Sequence, residues 1–450
     1  MKVIKFGGSS LADATQIAKT LAIVKVDPDR QIMVVSAPGK RFDGDTKVTD
    51  LFLQYAQAVI DNRPTATLQE EISARYQQIA TAFDLDDAVI SSIHDQILAL
   101  EKRHFPSFDH LRAAFAAHGE LLNAQLIAAV FTAQGLPARF VSPKDAGLLV
   151  QGAPRNAQLV PESYLTLAKN LQPNGEVLIF PGFFGFTKDG WISTFSRGGS
   201  DISGAIVARA LQADLYENFT DVDAIYAAHP GIVADPKAIT QLTYKEMREL
   251  AYAGFAVFHD EAIIPAIEGN VTINVKNTNN PEQPGTLIVP EDVHQPDSII
   301  TGIAHSNRFA ALYLHRYLLN REVGFTRRLL NIFYEHNISY EHMPSGIDDL
   351  TVIFDKDQLQ DVVIADLLTE IQAELQPDTL EWLDDYTIIM VVGEGMRKRA
   401  DVLGKIIGPL SDQNIPIQMV NQGASQISVM LGIQTKDTKR AVQAIYQNFF

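Results

Sequence analysis

The first 275 residues alternate short strand-like stretches with longer helical ones, which restricts the folds open to the chain. Residues 3–6, 31–36, 138–141, 177–180, 214–219 and 271–275 have the length and flanking turns of strands. In the stretches between them, Ala, Leu and Ile recur at every third or fourth position, as on one face of a helix. Because such alternation is typical of parallel sheets covered by helices, we predict an α/β domain with a largely parallel sheet.

The stretch Ser-Thr-Phe-Ser-Arg-Gly-Gly-Ser-Asp at 193–201 runs directly into a helical segment of small residues. Its glycines lack the Cβ atoms that block close approach to a ligand, and the free N–H groups of the following helix favour an anion. Arg197 adds a forked cation and Asp201 a carboxylate. A surface turn capped by Ser200 or Asp201 explains the same residues, and this stretch alone does not decide between the two interpretations.

A second glycine turn, Gly7-Gly8, follows the strand at 3–6 and precedes a helix. Strand, glycine turn and helix together are typical of a phosphate cradle, and Lys5 precedes the glycines, within reach of a transferring phosphoryl group. The chain contains no Gly-x-x-x-x-Gly-Lys-Ser/Thr sequence, so this turn is not a Walker P-loop.

Two further polar positions have both a structural and a functional interpretation. Glu120, beside a glycine in a long helical region, is either a solvated helix residue or a carboxylate at a pocket. Thr220 and Asp221 follow the strand at 214–219, where they form either an Asx turn or a contact to ribose or Mg²⁺.

The rest of the chain contains an internal repeat. Residues 280–297 hold four prolines and mark a domain boundary. After it, the pattern strand, glycine, helix, Asn-Ile, strand occurs twice, as in ferredoxin-like units. We predict domains at 1–295, 300–380 and 381–450, the last two with a βαββαβ arrangement.

Composition restricts the function classes. The net charge of −17 disfavours nucleic acid and anionic membranes as partners. The chain has 0 cysteines and no apolar run of membrane-spanning length. Its first residues are too short an apolar run for a signal peptide, so we expect a cytoplasmic protein.

Four short motifs occur in a fixed order before the repeats, and together they resemble the aspartate kinases of the amino-acid-kinase family, which carry two C-terminal ACT regulatory domains. The motifs are Lys5-Phe6-Gly7-Gly8-Ser9-Ser10, His118-Gly119-Glu120, Arg197-Gly198-Gly199-Ser200-Asp201 and Thr220-Asp221-Val222. The resemblance covers the whole chain, and it implies the amino-acid-kinase three-layer sandwich followed by two ACT domains.

The resemblance also implies a role for individual residues. The catalytic pair would be Lys5 and Asp201. The L-aspartate site would use Ser36, Thr49, Glu120, Arg197 and Ser200. The ATP site would use Lys5, Gly7, Gly8, Ser9, Thr220, Asp221 and Tyr226. We assign no residue as a metal ligand.

The implied reaction moves the γ-phosphoryl group of ATP, with Mg²⁺, to the side-chain carboxylate of L-aspartate and gives 4-phospho-L-aspartate. This is the first step from aspartate toward lysine, threonine and methionine. A carboxylate nucleophile is already ionised at pH 7, so catalysis reduces to alignment and charge neutralisation.

The chain departs from the family where relatives carry cations near the nucleotide. Ala256 stands where many relatives have a lysine, and Gly231 stands where they have an arginine. Two other interpretations stay open. One is an amino-acid kinase for another acid, glutamate or an N-acetylated acid. The other, which these losses of positive charge favour, is a catalytically weak amino-acid sensor.

Regulation is implied by the ACT domains. In relatives an effector, usually lysine or threonine, binds between regulatory domains of two subunits. The matching positions here are Gly324, Phe325, Glu341 and Ser345. We therefore expect a homodimer or a dimer of dimers assembled through these domains, and the sequence does not specify the effector.

Overall fold

The structure, a computed structural model, describes residues 1–196, 198–255, 262–359 and 362–450. These residues form two compact units. The first unit comprises Met1–Ile225, Ala238–Arg248 and the described part of 256–295. The second unit comprises Tyr226–Lys237, Glu249–Phe255 and the described part of Pro296–Phe450.

The first unit is built on an eight-stranded sheet. Its strands are β1 (Lys2–Phe6), β2 (Arg30–Val35), β3 (Ala138–Phe140), β6 (Val177–Pro181), β9 (Leu215–Thr220), β10 (Gln241–Thr243), β11 (Ile273–Asn277) and β12 (Thr286–Val289). They lie in the order β10-β12-β11-β9-β1-β2-β6-β3, and the β11–β12 pair alone among these is antiparallel. Two hairpins accompany the sheet, β4 (Val150–Ala153) with β5 (Asn156–Leu159) and β7 (Phe184–Phe186) with β8 (Ile192–Thr194).

Helices cover both faces of this sheet. The helices are α1 (Ala14–Lys25), α2 (Val48–Ile60), α3 (Ala66–Ala82), α4 (Asp87–Leu100), α5 (Phe108–Ala133), α6 (Pro143–Ala146), α7 (Ser163–Asn170), α8 (Gly199–Ala210), α9 (Tyr244–Tyr252) and α10 (Ile264–Gly269). Side chains of α1 to α5 form one continuous core with β1, β2 and β6. Helix α8 packs on the opposite face, against β1, β2 and β9. The predicted α/β class with a largely parallel sheet is therefore confirmed.

Helix α5 is long and apolar enough to cross a membrane, but its position is that of a core helix. Of its most apolar window, 83% is buried inside the protein. Its N-cap is Ser107, whose hydroxyl accepts a hydrogen bond from the His110 N–H. Because α5 is buried on nearly all sides, apolar residues occur on every face of the helix.

The second unit contains two small sheets. The first consists of β14 (Phe309–His315), β15 (Asp349–Asp355) and β16 (Thr379–Leu383) with α11 (Phe325–Glu335) and α12 (Ile364–Leu375). The second consists of β13 (Gly302–Ser306), β17 (Thr387–Val392), β18 (Met419–Asn421) and β19 (Ser428–Ile433) with α13 (Val402–Asp412) and α14 (Thr438–Phe449). Isolated antiparallel bridges from His342 and Ser345 to β15 continue the first sheet at its edge.

The ferredoxin-like pattern is present in both sheets, but its parts are not contiguous in sequence. The second sheet has the order β13-β17-β19-β18, so its fourth strand is supplied by residues 302–306, ahead of the whole first repeat. The predicted boundary between 300–380 and 381–450 therefore differs from the structure at β13. The sequence repeat did not predict that residues 302–306 join the second sheet, because the sequence of an apolar strand does not specify which sheet the strand joins.

A second difference concerns the boundary at residue 295. Residues 226–237 and 249–255 lie in the predicted first domain but pack with the second unit. Ala228 and Val233 belong to the core of the second sheet, and the Ile303 N–H donates to the Ala227 carbonyl at 2.7 Å. The chain passes between the units within α9. Such long-range contacts leave no local signal in composition.

Candidate active site

Two residues far apart in sequence meet at the centre of the first unit. Lys5 on β1 places its Nζ 2.7 Å from Oδ1 of Asp201, in the first turn of α8. Their side chains are 9% and 19% exposed. An ion pair this sheltered is screened little by solvent and holds both charges in place. The structure thus brings together the two residues that sequence reasoning selected as the catalytic pair.

The glycine turn lies beside this pair. Gly8 begins a short 3₁₀ turn, and a Cβ added to Gly7 would lie 3.6 Å from Lys5 Nζ. The Gly39 N–H donates to the Gly8 carbonyl at 2.8 Å, and a Cβ on Gly39 would come within 2.5 Å of the Gly8 backbone. The loops that contain Gly8 and Gly39 therefore pack backbone against backbone, and a side chain at position 39 would prevent this contact.

A cavity of about 620 Å³ opens above these loops. Its lining includes seven of the predicted site residues, drawn from five separate stretches of chain, which are Gly8, Ser9, Ser36, Thr49, Glu120, Thr220 and Asp221. The remaining lining comes from the loop between β2 and α2 and includes the cations Lys40, Arg41 and Lys47. This volume is within the range of small-molecule sites.

Glu120 is the most unusual group in the cavity. It is 5% exposed, and its Oε2 atom has no hydrogen-bond partner among the described residues. Burial raises the pKa of Glu120 to about 8, although backbone N–H groups partly oppose the rise. A buried carboxylate with one unpaired oxygen facing a cavity is suited to receive a cation, such as an ammonium group.

The loop that lines the cavity is fixed from below by Arg75 on α3. Arg75 donates to the carbonyls of Gly39 and Thr46, and its Nη1 lies 3.3 Å from Oδ2 of Asp45. Hydrogen bonds from Arg41 hold the pKa of Asp45 well below its usual range. These contacts hold the loop beside the cavity. At the start of the same loop, Asn123 Nδ2 donates a hydrogen bond to the carbonyl of Ser36 at 2.7 Å.

The other predicted residues of the site fall outside this cavity lining. Ser200 is buried in the first turn of α8, where its side chain packs against Gly182. Arg197 lies outside the described residues, as does Ala256. Tyr226 belongs to the second unit. Its predicted nucleotide contact therefore stays a prediction.

The predicted effector positions all lie in the second unit. Gly324 precedes α11 with a φ of 84°, and Phe325 is buried in the core of the first small sheet. Ser345 is exposed and forms a bridge with Leu350. Oε2 of Glu341 accepts a hydrogen bond from the Tyr252 hydroxyl at 2.7 Å. Glu341, expected to meet an effector ammonium, thus already has a partner in this structure.

Sequence reasoning missed two residues that hold the site together, Asn218 and Arg75. Asn218 on β9 donates to Oδ1 of Asp201 at 2.8 Å and accepts from Lys5 Nζ at 3.4 Å. The available signal was its polar side chain within a strand that is otherwise buried. Arg75 gave no local signal, because one arginine on an amphipathic helix usually faces solvent.

The described residues contain no group of three or more His, Cys, Asp or Glu side chains arranged to hold a metal ion. The carboxylates nearest to the cavity are single ones, Glu120, Asp43 and Asp221. This donor set fits a metal ion that arrives with a phosphate ligand, as Mg²⁺ usually does, better than a cage formed by protein alone.

Comparisons with known proteins agree with this geometry. A sequence model described as the amino acid kinase family matches residues 1–277, and an ACT domain model matches residues 389–449. Aspartokinase 3 of Bacillus subtilis is 46% identical over 450 residues, covering 100% of this chain and 99% of that protein. Chloroplastic aspartokinase 1 of Arabidopsis thaliana is 27% identical, covering 100% of this chain and 80% of that protein.

Solved structures resemble the whole chain. The aspartate kinase of Clostridium acetobutylicum, described as an allosteric enzyme, superimposes with a TM-score of 0.87 at 35% identity, covering 100% of both chains. Aspartokinase III of E. coli, solved in complex with aspartate and ADP, gives a TM-score of 0.80 at 23% identity, covering 100% of this chain and 99% of that one.

Proposed function

We propose, from the premise that this chain belongs to the amino acid kinase family, a catalytic role for each described residue of the site around Lys5. The chain is an ATP-dependent aspartate kinase with a C-terminal ACT region. The observation that carries the proposal is the Lys5–Asp201 ion pair beside the Gly7-Gly8 turn, together with the cavity that Gly8 and Glu120 both line.

The acceptor site is formed by Glu120, Thr49 and Ser36. The unpaired oxygen of Glu120 receives the ammonium group of L-aspartate, which restores the charge that burial disfavours. Thr49 and Ser36 line the same cavity and supply polar atoms to it. By resemblance, Arg197 and Ser200 complete this site, Arg197 by holding the α-carboxylate through paired hydrogen bonds.

The donor site is formed by the glycine turn and Lys5. Backbone N–H groups of Gly8 and Ser9 bind the phosphates of ATP, whereas the Gly7 N–H donates to the Phe219 carbonyl at 3.2 Å and fixes the turn. Thr220 and Asp221 contact the nucleoside of ATP. A Mg²⁺ ion bound together with ATP would be held chiefly by the phosphates and would supply charge neutralisation there. Lys5 places its ammonium where negative charge is spread during transfer, and Asp201 fixes the position of that ammonium.

The chemical step needs no proton transfer by the protein. An oxygen of the aspartate side-chain carboxylate forms a bond to the γ-phosphorus as the bond to the bridging oxygen of ADP breaks. The products are 4-phospho-L-aspartate and ADP. Since the nucleophile is ionised at neutral pH, the residues accelerate transfer by alignment and by stabilising charge.

Feedback control is proposed for the second unit, with lysine or threonine as effector at Gly324, Phe325, Glu341 and Ser345. The effector's ammonium would compete with the Tyr252 hydroxyl for Glu341. Assembly into a homodimer, or a dimer of dimers, is supported by the large exposed side chains of Tyr317, Leu318 and Val323. Exposed Ile347 lies near them, because its carbonyl accepts a hydrogen bond from the Asn320 N–H at 3.1 Å. We place the enzyme in the cytoplasm, in keeping with its acidic, cysteine-free sequence.

The test is aspartate-dependent release of ADP by purified protein, with glutamate and N-acetylaspartate as competing acids. We expect aspartate to be the preferred acceptor and Lys5→Ala to lower kcat by roughly three orders of magnitude or more, because the transition-state charge loses its cation. Wild-type turnover by Lys5→Ala would refute the assigned site, and absence of aspartate-dependent turnover in the wild type would favour an amino-acid sensor.

A further inference from the structure

A buried asparagine joins the two charged residues of the catalytic pair. Asn218 lies on β9 directly opposite Lys5 of β1, in parallel register, and it is 2% exposed. Its Nδ2 donates to Oδ1 of Asp201 at 2.8 Å, and its Oδ1 accepts from Lys5 Nζ at 3.4 Å. With the 2.7 Å contact between Lys5 and Asp201, the three side chains form a closed triangle.

The chemistry of the three groups fixes the orientation of the amide. An ammonium only donates hydrogen bonds and an ionised carboxylate only accepts them. The amide satisfies both neighbours only when its oxygen faces Lys5 and its nitrogen faces Asp201. Asn218 is therefore matched to a charged lysine, which donates to its oxygen, and to an ionised aspartate, which accepts from its nitrogen.

The triangle restricts the lysine more than the ion pair alone does. Among the described residues, Asp201 and Asn218 each accept one ammonium hydrogen of Lys5, and the glycine turn lies beside the same nitrogen. A lysine side chain has considerable rotamer freedom, and two acceptors at fixed positions remove much of it before the substrate arrives.

The helix that carries Asp201 is fixed by a neighbouring residue of the same strand. The Tyr216 hydroxyl donates at 3.2 Å to the backbone carbonyl of Asp201, from the same face of β9 as Asn218. Tyr216 thus acts on the backbone of the first turn of α8, while Asn218 acts on the side chain. Tyr216 therefore contacts only the backbone of Asp201, whereas Asn218 contacts the charged side chains of both Asp201 and Lys5.

We propose that Asn218 is a positioning residue for phosphoryl transfer, which holds the Lys5 ammonium and the Asp201 carboxylate in the geometry that the transition state requires. This inference rests on the proposed catalytic roles of Lys5 and Asp201. Asn218 touches neither substrate nor phosphate in the proposal, and it acts only through its two neighbours.

Two variants test this role. Asn218→Leu has nearly the same size and removes both hydrogen bonds, while Asn218→Asp keeps the shape and the acceptor for Lys5 but faces Asp201 with a second carboxylate. We expect both to lower kcat by roughly 10- to 100-fold, because a small misplacement of a reacting group costs about that much. The KM values for aspartate and ATP should stay within about threefold, because the substrate contacts remain.

Asn274→Leu is the matched control. Asn274 lies on the neighbouring strand β11, opposite Glu217, on the other face of the sheet from Lys5 and Asn218. We expect it to retain wild-type kcat. The melting temperatures of all three variants distinguish a loss of folding from a loss of turnover. If Asn218→Leu does not fold, the kcat of Asn218→Asp tests the positioning role.

The inference is overturned if folded Asn218→Asp keeps the wild-type kcat, or if the loss appears in KM with kcat unchanged. That failure is distinct from a failure of the assigned site. Wild-type kcat in Asn218→Asp together with an inactive Lys5→Ala would refute only the positioning role, whereas an active Lys5→Ala would refute the catalytic assignment itself.

Discussion

At the scale of single residues, Glu120 makes the clearest prediction because its carboxylate is buried without a full set of partners. Burial raises its pKa to about 8, so in the free enzyme at pH 7 it is largely protonated. Binding an ammonium requires the ionised form, so aspartate binding must release a proton. The KM for aspartate should therefore rise as pH falls below about 8, by up to about tenfold per unit.

Glu120 has the opposite pH dependence in its effect on folding: high pH favours aspartate binding, whereas low pH favours the folded state without substrate. A raised pKa in the folded state means that Glu120 favours folding at low pH, with a contribution that is lost as pH rises from about 4.5 to about 8. Glu120→Gln, which is neutral and nearly isosteric, should melt no lower than the wild type at pH 8. Its KM for aspartate should rise by roughly 10- to 100-fold and lose its pH dependence. An unchanged KM would remove Glu120 from the acceptor site.

Lys5, Asp201 and Asn218 also show how far residue-level prediction extends. The first two were selected because each stands beside glycines at the junction of strand or turn with helix, and such junctions concentrate ligand contacts. Asn218 lies within a strand, two residues before the Thr220-Asp221-Val222 motif, and no glycine turn or helix start adjoins it. Its importance depends on the register between β1 and β9, which is a property of the folded sheet and not of the local sequence.

At the scale of elements, helix α8 shows how a single glycine sets the position of the site. A Cβ on Gly204 would lie 2.3 Å from the Tyr216 hydroxyl, so alanine there would force α8 away from β9. We expect Gly204→Ala to lower both the melting temperature and kcat, since Asp201 moves with its helix. Alanine is otherwise favoured over glycine in a helix by about 1 kcal/mol, so propensity alone predicts the opposite sign.

Gly404→Ala on α13 is the matched control, because nothing lies within 4 Å of the position that its Cβ would occupy. It should keep the melting temperature or raise it, and leave kcat unchanged. Equal effects of the two substitutions on stability would contradict the close packing of α8 on Tyr216. Measurement needs only thermal unfolding and steady-state turnover of the two variants.

At the scale of the whole molecule, the sequence predicted the kind of fold more accurately than the sheet that each segment joins. Alternating strands and helices indicated the large sheet, and the repeat indicated two ferredoxin-like units. The placement of β13 in the second small sheet and of residues 226–237 in the second unit was not predictable, because both depend on contacts far apart in the chain. A local pattern specifies an element, whereas only packing specifies its partner.

Control of the whole enzyme by its ACT region leads to a prediction about the pair formed by Tyr252 and Glu341. Burial, and then the hydrogen bond to Glu341, raise the pKa of the Tyr252 hydroxyl, so it remains a donor throughout the neutral range. An effector ammonium that uses Glu341 must displace this donor. Tyr252→Phe removes the competitor and should lower the half-inhibitory concentration of the effector by roughly 3- to 10-fold, in keeping with one hydrogen bond to a charged group.

The experiment compares inhibition of ADP release by lysine and by threonine in the wild type, Tyr252→Phe and Tyr334→Phe. Tyr334 is 82% exposed on α11, which makes its loss of a hydroxyl a suitable control. Turnover without effector should be the same in all three proteins, because Tyr252 and Glu341 both belong to the second unit. If Tyr252→Phe left inhibition unchanged or weakened it, Glu341 would not be the group that both ligands share, because removing a competitor can only strengthen binding at a shared site.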